Sequence, residues 1–283
     1  MDYHSHNRRC GHAAGEIEDY IQEAITKNLQ EIGITDHFPL GAYINDPQFD
    51  EIIKRASMGV DEFPNYIEEI KNLKKKYKDE INVRISTEIN FATPGNALTL
   101  QKRVLEPFMD DFDYLLGAIH DIKWHDSPII IMDPREGSDA LKTYGFEKIN
   151  LEYVNKLNIL VDTRFFDVIA HFDNQRVLFR PNRPDYSEIL WEKLLKLLDK
   201  IKTRGIAIEI NTSGILKKIG SQFPSDNIVK EIIQREIPVI LGSDAHSPQY
   251  IGFMFEEFIQ KAKKWGLSQL CLFEKREQTL IKI

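Results

Sequence analysis

The sequence has little cysteine, no excess of basic residues and no long apolar run. Its two cysteines, Cys10 and Cys271, form no C-x-x-C pair, so the sequence predicts neither a disulfide framework nor a thiolate zinc site. The formal net charge of -7 and the pI near 5.7 disfavour binding to nucleic acid, because phosphate backbones are held by clustered Lys and Arg. No stretch approaches the roughly 18 apolar residues that span a bilayer, and the opening MDYHSHNRRC has no apolar signal core. We therefore expect a soluble cytoplasmic protein with neither a nucleic-acid nor a membrane partner.

Short apolar runs alternate with longer segments of helical periodicity through most of the chain. This pattern predicts βα units around a parallel sheet, and therefore an α/β fold. The predicted strands are residues 2–6, 31–37, 82–89, 114–120, 166–171, 206–212 and 238–243. The predicted helices are residues 16–28, 64–77, 186–204, 225–236 and 253–265, with a further helix near 141–157 in the less regular region 91–158. A length of 283 residues and a hydrophobic content of 42% suffice for a sizeable core, so we expect one domain over residues 1–283.

Polar residues stand where the predicted strands end. They are His37, Glu88, His120, His171, Asn211 and Asp244. In a barrel of parallel strands that edge is the active-site face. Side chains two apart on a strand share a face, so the pairs His4-x-His6 and Asp244-x-His246 can each deliver two ligands to one place. One such histidine alone is more often structural, but the set together predicts a metal site.

The ligand types in this set are imidazole and carboxylate, without thiolate. They suit Zn, Mn or Fe and match an all-oxygen Mg or Ca site poorly. One catalytic metal takes about three or four protein ligands, so this number of candidates predicts two or three ions, with Glu88 bridging two of them. Clustered divalent ions suit phosphate-ester hydrolysis, because one lowers the pKa of a bound water while others hold phosphoryl oxygens.

The segments DYHSH, CGHA, GITDHFP, STEI, GAIH, FDVIAH, EINTSG and LGSDAHSP occur in this order. Over nearly the whole chain they resemble the PHP (polymerase and histidinol phosphatase) family, and specifically its histidinol-phosphate phosphatase branch. The resemblance implies a distorted seven-stranded (β/α) barrel with the metal site at the C-terminal ends of its strands. It also implies hydrolysis of L-histidinol phosphate by a PHP catalytic domain, for which we expect a monomer or a homodimer.

The same resemblance implies three divalent metal ions, which from the ligand types are Zn, Mn or Fe. The first is held by His4, His6, Glu88 and Asp244, the second by His12, His37 and His246, and the third by Glu88, His120 and His171. Among these ligands we expect Glu88, Asp244 and His246 to be catalytic. Cys10 lies between ligands, but a thiolate nucleophile needs a histidine base and the histidines are committed to metal, so a structural role is predicted for it.

A phosphorylated substrate needs cationic partners besides the metals, and planar Arg suits phosphate best. Arg176 is the first candidate for substrate binding, ahead of Lys217 and Lys218. The family usually places a basic residue where this chain has Leu216, and a one-residue shift to Lys217 could compensate. It usually has an apolar or aromatic residue where this chain has Asp121. His125 is outside the family set and is predicted to be an ordinary surface histidine.

Three other functions compete with this prediction. The departures at Leu216 and Asp121 leave open another small phosphomonoester or a nucleotide as substrate. An amidohydrolase also begins with H-x-H and ends with a strand-end Asp, but it usually adds a bridging carboxylated Lys, which YLLGAIH does not supply. A non-enzymatic metal-binding regulator would require lost ligands, and none is lost.

Overall fold

Strands and helices alternate along the computed structural model, which describes residues 1–45, 50–91, 96–124, 127–130, 134–179, 186–217 and 219–283. The strands are β1 (Glu31–Ile34), β2 (Asn82–Ile85), β3 (Glu88–Asn90), β4 (Leu116–Ala118), β5 (Asp121–Trp124), β6 (Ser127–Ile130), β7 (Val168–Ile169), β8 (Ala207–Asn211), β9 (Val239–Gly242), β10 (Gln269–Glu274) and β11 (Glu277–Lys282). The helices are α1 (Ile17–Thr26), α2 (Asp50–Ala56), α3 (Phe63–Lys76), α4 (Asn96–Leu105), α5 (Pro134–Asp162), α6 (Glu188–Arg204), α7 (Ser213–Leu216), α8 (Asp226–Gln234) and α9 (Phe255–Lys263). The α/β class is confirmed.

The parallel strands form two sheets. One holds β3, β4, β7, β8 and β9 in that order, and the other pairs β1 with β2. Isolated parallel bridges join Asp2 to Ile32, Ser5 to Ala245 and His37 to Glu88. Residues 2–6, predicted as a strand, are connected by these isolated bridges to β1 and to the residues that follow β9, and they do not form a continuous strand. The seven-stranded barrel stays a prediction.

Helix α6 shows how the sequence sets the boundaries of these elements. Ser187 caps its first turn by accepting a hydrogen bond from the Leu190 N–H at 3.1 Å, and Gly205 ends it in the left-handed conformation with φ 69°. Its buried residues, Leu190, Leu194, Leu197, Leu198 and Ile201, recur at helical spacing and belong to the main hydrophobic core. Within the described residues, no helix is long and apolar enough to cross a bilayer.

An inner cluster of buried side chains includes residues from several of the parallel strands. Its buried members are Tyr3, Tyr114, Leu116, Ala118, Val168, Ala170, Ala207, Ile240, Cys271 and Phe273. Leu116 and Ala118 are two residues apart on β4, as side chains on one face must be. The rings of Tyr3 and Tyr114 stack with their centroids 5.0 Å apart.

The antiparallel hairpin of β10 and β11 closes this cluster at the amino ends of the strands, and its strands were not among those predicted. The backbone N–H of Phe273 donates to the Tyr3 hydroxyl at 3.2 Å. In the turn, the Lys275 N–H donates to Asp113 at 3.2 Å and the Arg276 side chain donates to Asp167 at 2.8 Å. Asp167 directly precedes β7 and Asp113 lies three residues before β4, so the hairpin covers the end of the sheet away from the metal-ligand candidates.

Replacing Phe273 with Ala is expected to destabilise the protein by about 3–5 kcal/mol, because a buried ring leaves a cavity in the inner cluster. Urea unfolding followed by circular dichroism measures this loss. Leu280, on the same hairpin, is 51% exposed, and Leu280→Ala is the control, with an expected change within about 0.5 kcal/mol. Equal unfolding midpoints for the two variants would show that the hairpin does not close the core.

Candidate metal centre

The Glu88 carboxylate lies at the centre of a cluster of imidazoles. Its Oε1 is 2.8 Å from His171 Nε2 and 3.5 Å from His120 Nε2. Its Oε2 is 2.8 Å from His37 Nδ1. Glu88 begins β3 and is 1% exposed, so this charge is held out of water. Three histidines that are distant in sequence thus meet one carboxylate.

Groups of three side chains bring their ligand atoms within 4.8 Å of one another around this carboxylate. They are His4, His6 and Glu88; His12, His37 and His246; Glu88, His120 and His171; and His6, Cys10 and His246. Asp244 joins the first group, because its Oδ1 is 3.1 Å from His6 Nε2 and 3.8 Å from His4 Nε2. The nine residues predicted as metal ligands therefore lie together in one place.

The two pairs from opposite ends of the sequence are hydrogen-bonded side by side. The Asp244 N–H donates to the His4 carbonyl at 2.8 Å, and the His6 N–H donates to the Ala245 carbonyl at 2.9 Å. Asp244 has a φ of 51°, in the left-handed region that few residues other than Gly adopt. Such conformations persist where surrounding structure enforces them, and they concentrate at functional sites.

The His12 and His246 imidazoles face each other with their Nε2 atoms close together. His12 Nδ1 donates to the Cys10 and Arg55 carbonyls at 3.0 and 2.9 Å, and His246 Nδ1 donates to the Asp244 carbonyl at 2.9 Å. Their Nε2 atoms are 3.1 Å apart. When both rings are neutral, this contact places two lone pairs against each other, and a cation between them relieves the repulsion. The donor set therefore fits a divalent metal ion.

Burial and charge set the protonation of these groups. Burial favours the neutral acid of Glu88, but the imidazoles of His120 and His4 outweigh it and hold the pKa of that carboxyl well below its usual range. Burial also works against charge on His6, yet contact with Asp244 raises its pKa to about 9. For His120, burial prevails and the pKa lies well below its ordinary value. At neutral pH, therefore, the carboxylate is ionised and the His120 ring keeps a lone pair for a metal.

Two carboxylates beside the metal-ligand candidates were not predicted. Glu209, fully buried in β8, accepts a hydrogen bond from His4 Nδ1 at 2.7 Å and another from the His171 backbone N–H at 2.7 Å. Asp36 accepts from the His37 N–H at 2.9 Å and lies 3.4 Å from His6 Nδ1. Carboxylates in such positions fix the tautomer and the orientation of a metal-binding imidazole. A glutamate inside the apolar run IAIEIN is the sequence signal that points to Glu209.

Of the basic residues predicted to bind substrate, Lys217 contacts the metal-ligand candidates and Arg176 is hydrogen-bonded to another segment. Lys217 Nζ is 2.6 Å from Asp244 Oδ2, so this side chain reaches the cluster, whereas Leu216 is 41% exposed. Arg176 is buried, and its guanidinium donates to the Gln222 carbonyl at 2.8 Å and to the Ser221 hydroxyl at 2.6 Å. The structure thus brings Lys217 to the cluster and ties Arg176 to a neighbouring segment. Lys218 and His125 lie outside the described residues.

An α/β fold that gathers imidazoles and carboxylates where its parallel strands end defines the class of metal-dependent hydrolases. The chain belongs to the PHP domain family, which matches residues 2–213.

Relatives and a solved structure resemble the chain over most of its length. It is 29% identical to a probable histidinol-phosphatase of Deinococcus radiodurans, over 94% of this chain and 93% of that one. It is 24% identical to a histidinol-phosphatase of Bacillus subtilis, over 92% and 98% of the two chains. The fold also resembles that of a histidinol phosphate phosphatase from Lactococcus lactis, solved with Zn, L-histidinol and phosphate, with a TM-score of 0.72, 21% identity and 98% of both chains covered.

Replacing Glu209 with Gln is expected to weaken divalent metal binding by about 10–100-fold, because the amide cannot accept both the His4 and the His171 N–H groups. Competition with a chelating dye measures the affinity. The control is Glu192→Gln, whose side chain is 65% exposed and pairs only with Lys196 among the described residues. Unchanged metal affinity in the Glu209 variant would remove its orienting role.

Proposed function

We propose that the chain is a metal-dependent phosphatase that hydrolyses L-histidinol phosphate to L-histidinol and phosphate, a reaction of histidine biosynthesis. The observation that carries the proposal is the shared Glu88 carboxylate, which belongs to two groups of potential metal ligands. Its support from relatives is the similarity to histidinol-phosphatases over more than nine-tenths of the chain. The amidohydrolase and regulator hypotheses have no comparable support.

The proposed site holds three ions in one catalytic domain. His4, His6, Glu88 and Asp244 would hold the first, His12, His37 and His246 the second, and Glu88, His120 and His171 the third. The distances within these groups support that division. Zn, Mn and Fe all suit this donor set. The bridges through residues 2–6 and through His37 support closure of the two parallel sheets into the distorted seven-stranded barrel.

Bound ions supply Lewis acidity toward the phosphoryl oxygens and lower the pKa of water. Glu88, which belongs to two of these groups, would hold two of the ions. Asp244 and His246, two residues apart, link the first ion group to the second. Lys217, at the edge of the cluster, is placed to hold a phosphate oxygen, and Arg176 and Lys218 are the further substrate-binding candidates.

Hydrolysis is expected to proceed without a covalent enzyme intermediate. Cys10 is the thiol nearest to the cluster among the described residues, and it is fully buried. Burial raises the pKa of this thiol to about 12, so it is protonated at neutral pH and a poor nucleophile.

Phosphate release from L-histidinol phosphate by the Zn- or Mn-loaded protein tests the function. We expect turnover that Glu88→Gln reduces by at least about 1000-fold, because a neutral amide cannot bridge two cations. Metal content is measured in parallel by elemental analysis. A metal-loaded protein that leaves L-histidinol phosphate intact while cleaving another phosphomonoester would replace the proposed substrate, and activity close to normal in Glu88→Gln would remove the bridging role.

Lys217→Met is expected to lower kcat/KM by about 10–100-fold, because a charge-assisted contact with phosphate is worth about 1.5–3 kcal/mol. Steady-state kinetics on L-histidinol phosphate measures the loss, and inhibition by inorganic phosphate should weaken in parallel. The matched control is Lys217→Arg, which retains the charge and should retain most of the activity. Equal kcat/KM in the Met variant and the unaltered protein would contradict phosphate binding by this lysine.

A further inference from the structure

Asp121 directly follows the metal-ligand candidate His120, and its main chain and side chain are both held by one lysine. Lys156 Nζ, from α5, donates to Asp121 Oδ2 at 2.8 Å and to the Asp121 carbonyl at 2.9 Å. The Lys156 side chain is only 7% exposed. A buried ammonium is costly unless its partners are in place, so the pair fixes where β5 begins.

The other Asp121 oxygen leads back to the ligands through Asn90. Asn90 Nδ2 donates to Asp121 Oδ1 at 2.9 Å, and Asn90 Oδ1 accepts the His120 backbone N–H at 3.0 Å. The carboxylate can only accept and the N–H can only donate, so these two bonds fix the orientation of the amide. Gln101 Nε2 anchors the same residue by donating to the Asn90 carbonyl at 2.7 Å.

Asn90 stands two residues after Glu88 on β3, so the network joins the strand that carries one proposed ligand to the loop that carries another. Glu88 Oε1 and His120 Nε2 are 3.5 Å apart. The hydrogen bond from the His120 backbone N–H to Asn90 fixes the position of His120 relative to the Glu88 carboxylate. A shift of the loop would change the separation of two ligands that share one ion.

We propose that Lys156, Asp121 and Asn90 form a positioning network that sets His120 against Glu88 and thereby tunes the affinity of the ion held with His171. The inference rests on the proposed function for the identity of that ion's site. In this role the three residues act through the His120 backbone.

Lys156→Met tests the network by removing the ammonium and keeping a long side chain. We expect one Zn ion to bind about 10–100-fold more weakly while the other ions bind as before. The kcat on L-histidinol phosphate should fall at limiting Zn and recover at excess Zn, with KM changed less than about 3-fold. Zn titration against a chelating dye and steady-state kinetics give the two readouts.

Lys200→Met is the matched control. Lys200, on α6, pairs at 2.7 Å with Asp162, the last residue of α5, and both side chains are partly exposed. The double variant Asp121→Asn/Lys156→Gln removes both charges but keeps groups that can hydrogen-bond, and it should recover most of the Zn affinity. If Lys156→Met does not fold, the comparison of Asp121→Asn with this double variant makes the same test, because only the single variant leaves the buried ammonium without a negative charge beside it.

Equal weakening of every ion, or normal Zn binding in the folded single variants, would overturn the positioning role. Because Zn titration needs no substrate, this result is independent of whether L-histidinol phosphate is hydrolysed. Selective loss of one ion from a protein inactive on that substrate would keep the network and reject the proposed function.

Discussion

One buried carboxylate, that of Glu88, is the constraint on which the rest of the centre depends. A charge removed from water is costly unless partners surround it, and here the partners are imidazoles delivered by different strands. Each strand must therefore end where its histidine can reach the same two oxygen atoms. The geometry of the site therefore depends on where the strands of the sheet end. Glu209 and Asp36 orient the His4 and His6 rings that face the carboxylate.

Much of this arrangement could be predicted because its signals are local. A polar residue that ends an apolar run identifies a strand and its carboxyl end together, as His37, His120 and His171 do. The spacing in His4-x-His6 and Asp244-x-His246 places two side chains on one face without knowledge of the fold. Helices α1, α3, α6, α8 and α9 were predicted for a similar reason, since apolar periodicity and caps such as Ser187 lie within a few residues, whereas α2 and α4 were not predicted.

The remainder depends on contacts between distant segments. In the sequence, Glu209 is simply one residue of a predicted strand. Its hydrogen bond to His4 becomes visible only in the structure, where residues 2–6 bring the His4 ring to this carboxylate. The hairpin of β10 and β11 carries an outer strand exposed along its length, so its sequence lacks the clear alternation of a buried strand. Arg176 and Lys217 are both basic and both follow strands. The hydrogen bonds of Arg176 to Ser221 and Gln222 distinguish them, and no sequence spacing encodes those bonds.

The side-by-side contact of residues 2–6 with β9 has a consequence for synthesis on the ribosome. His4 and His6 are synthesised long before Asp244 and Ala245, the residues with which their backbones pair. Contacts of such high sequence separation form late and slowly. The nascent chain thus presents these histidines before the other ligands of their group, and we expect the complete metal site to form only after β9 and the residues that follow it have been synthesised.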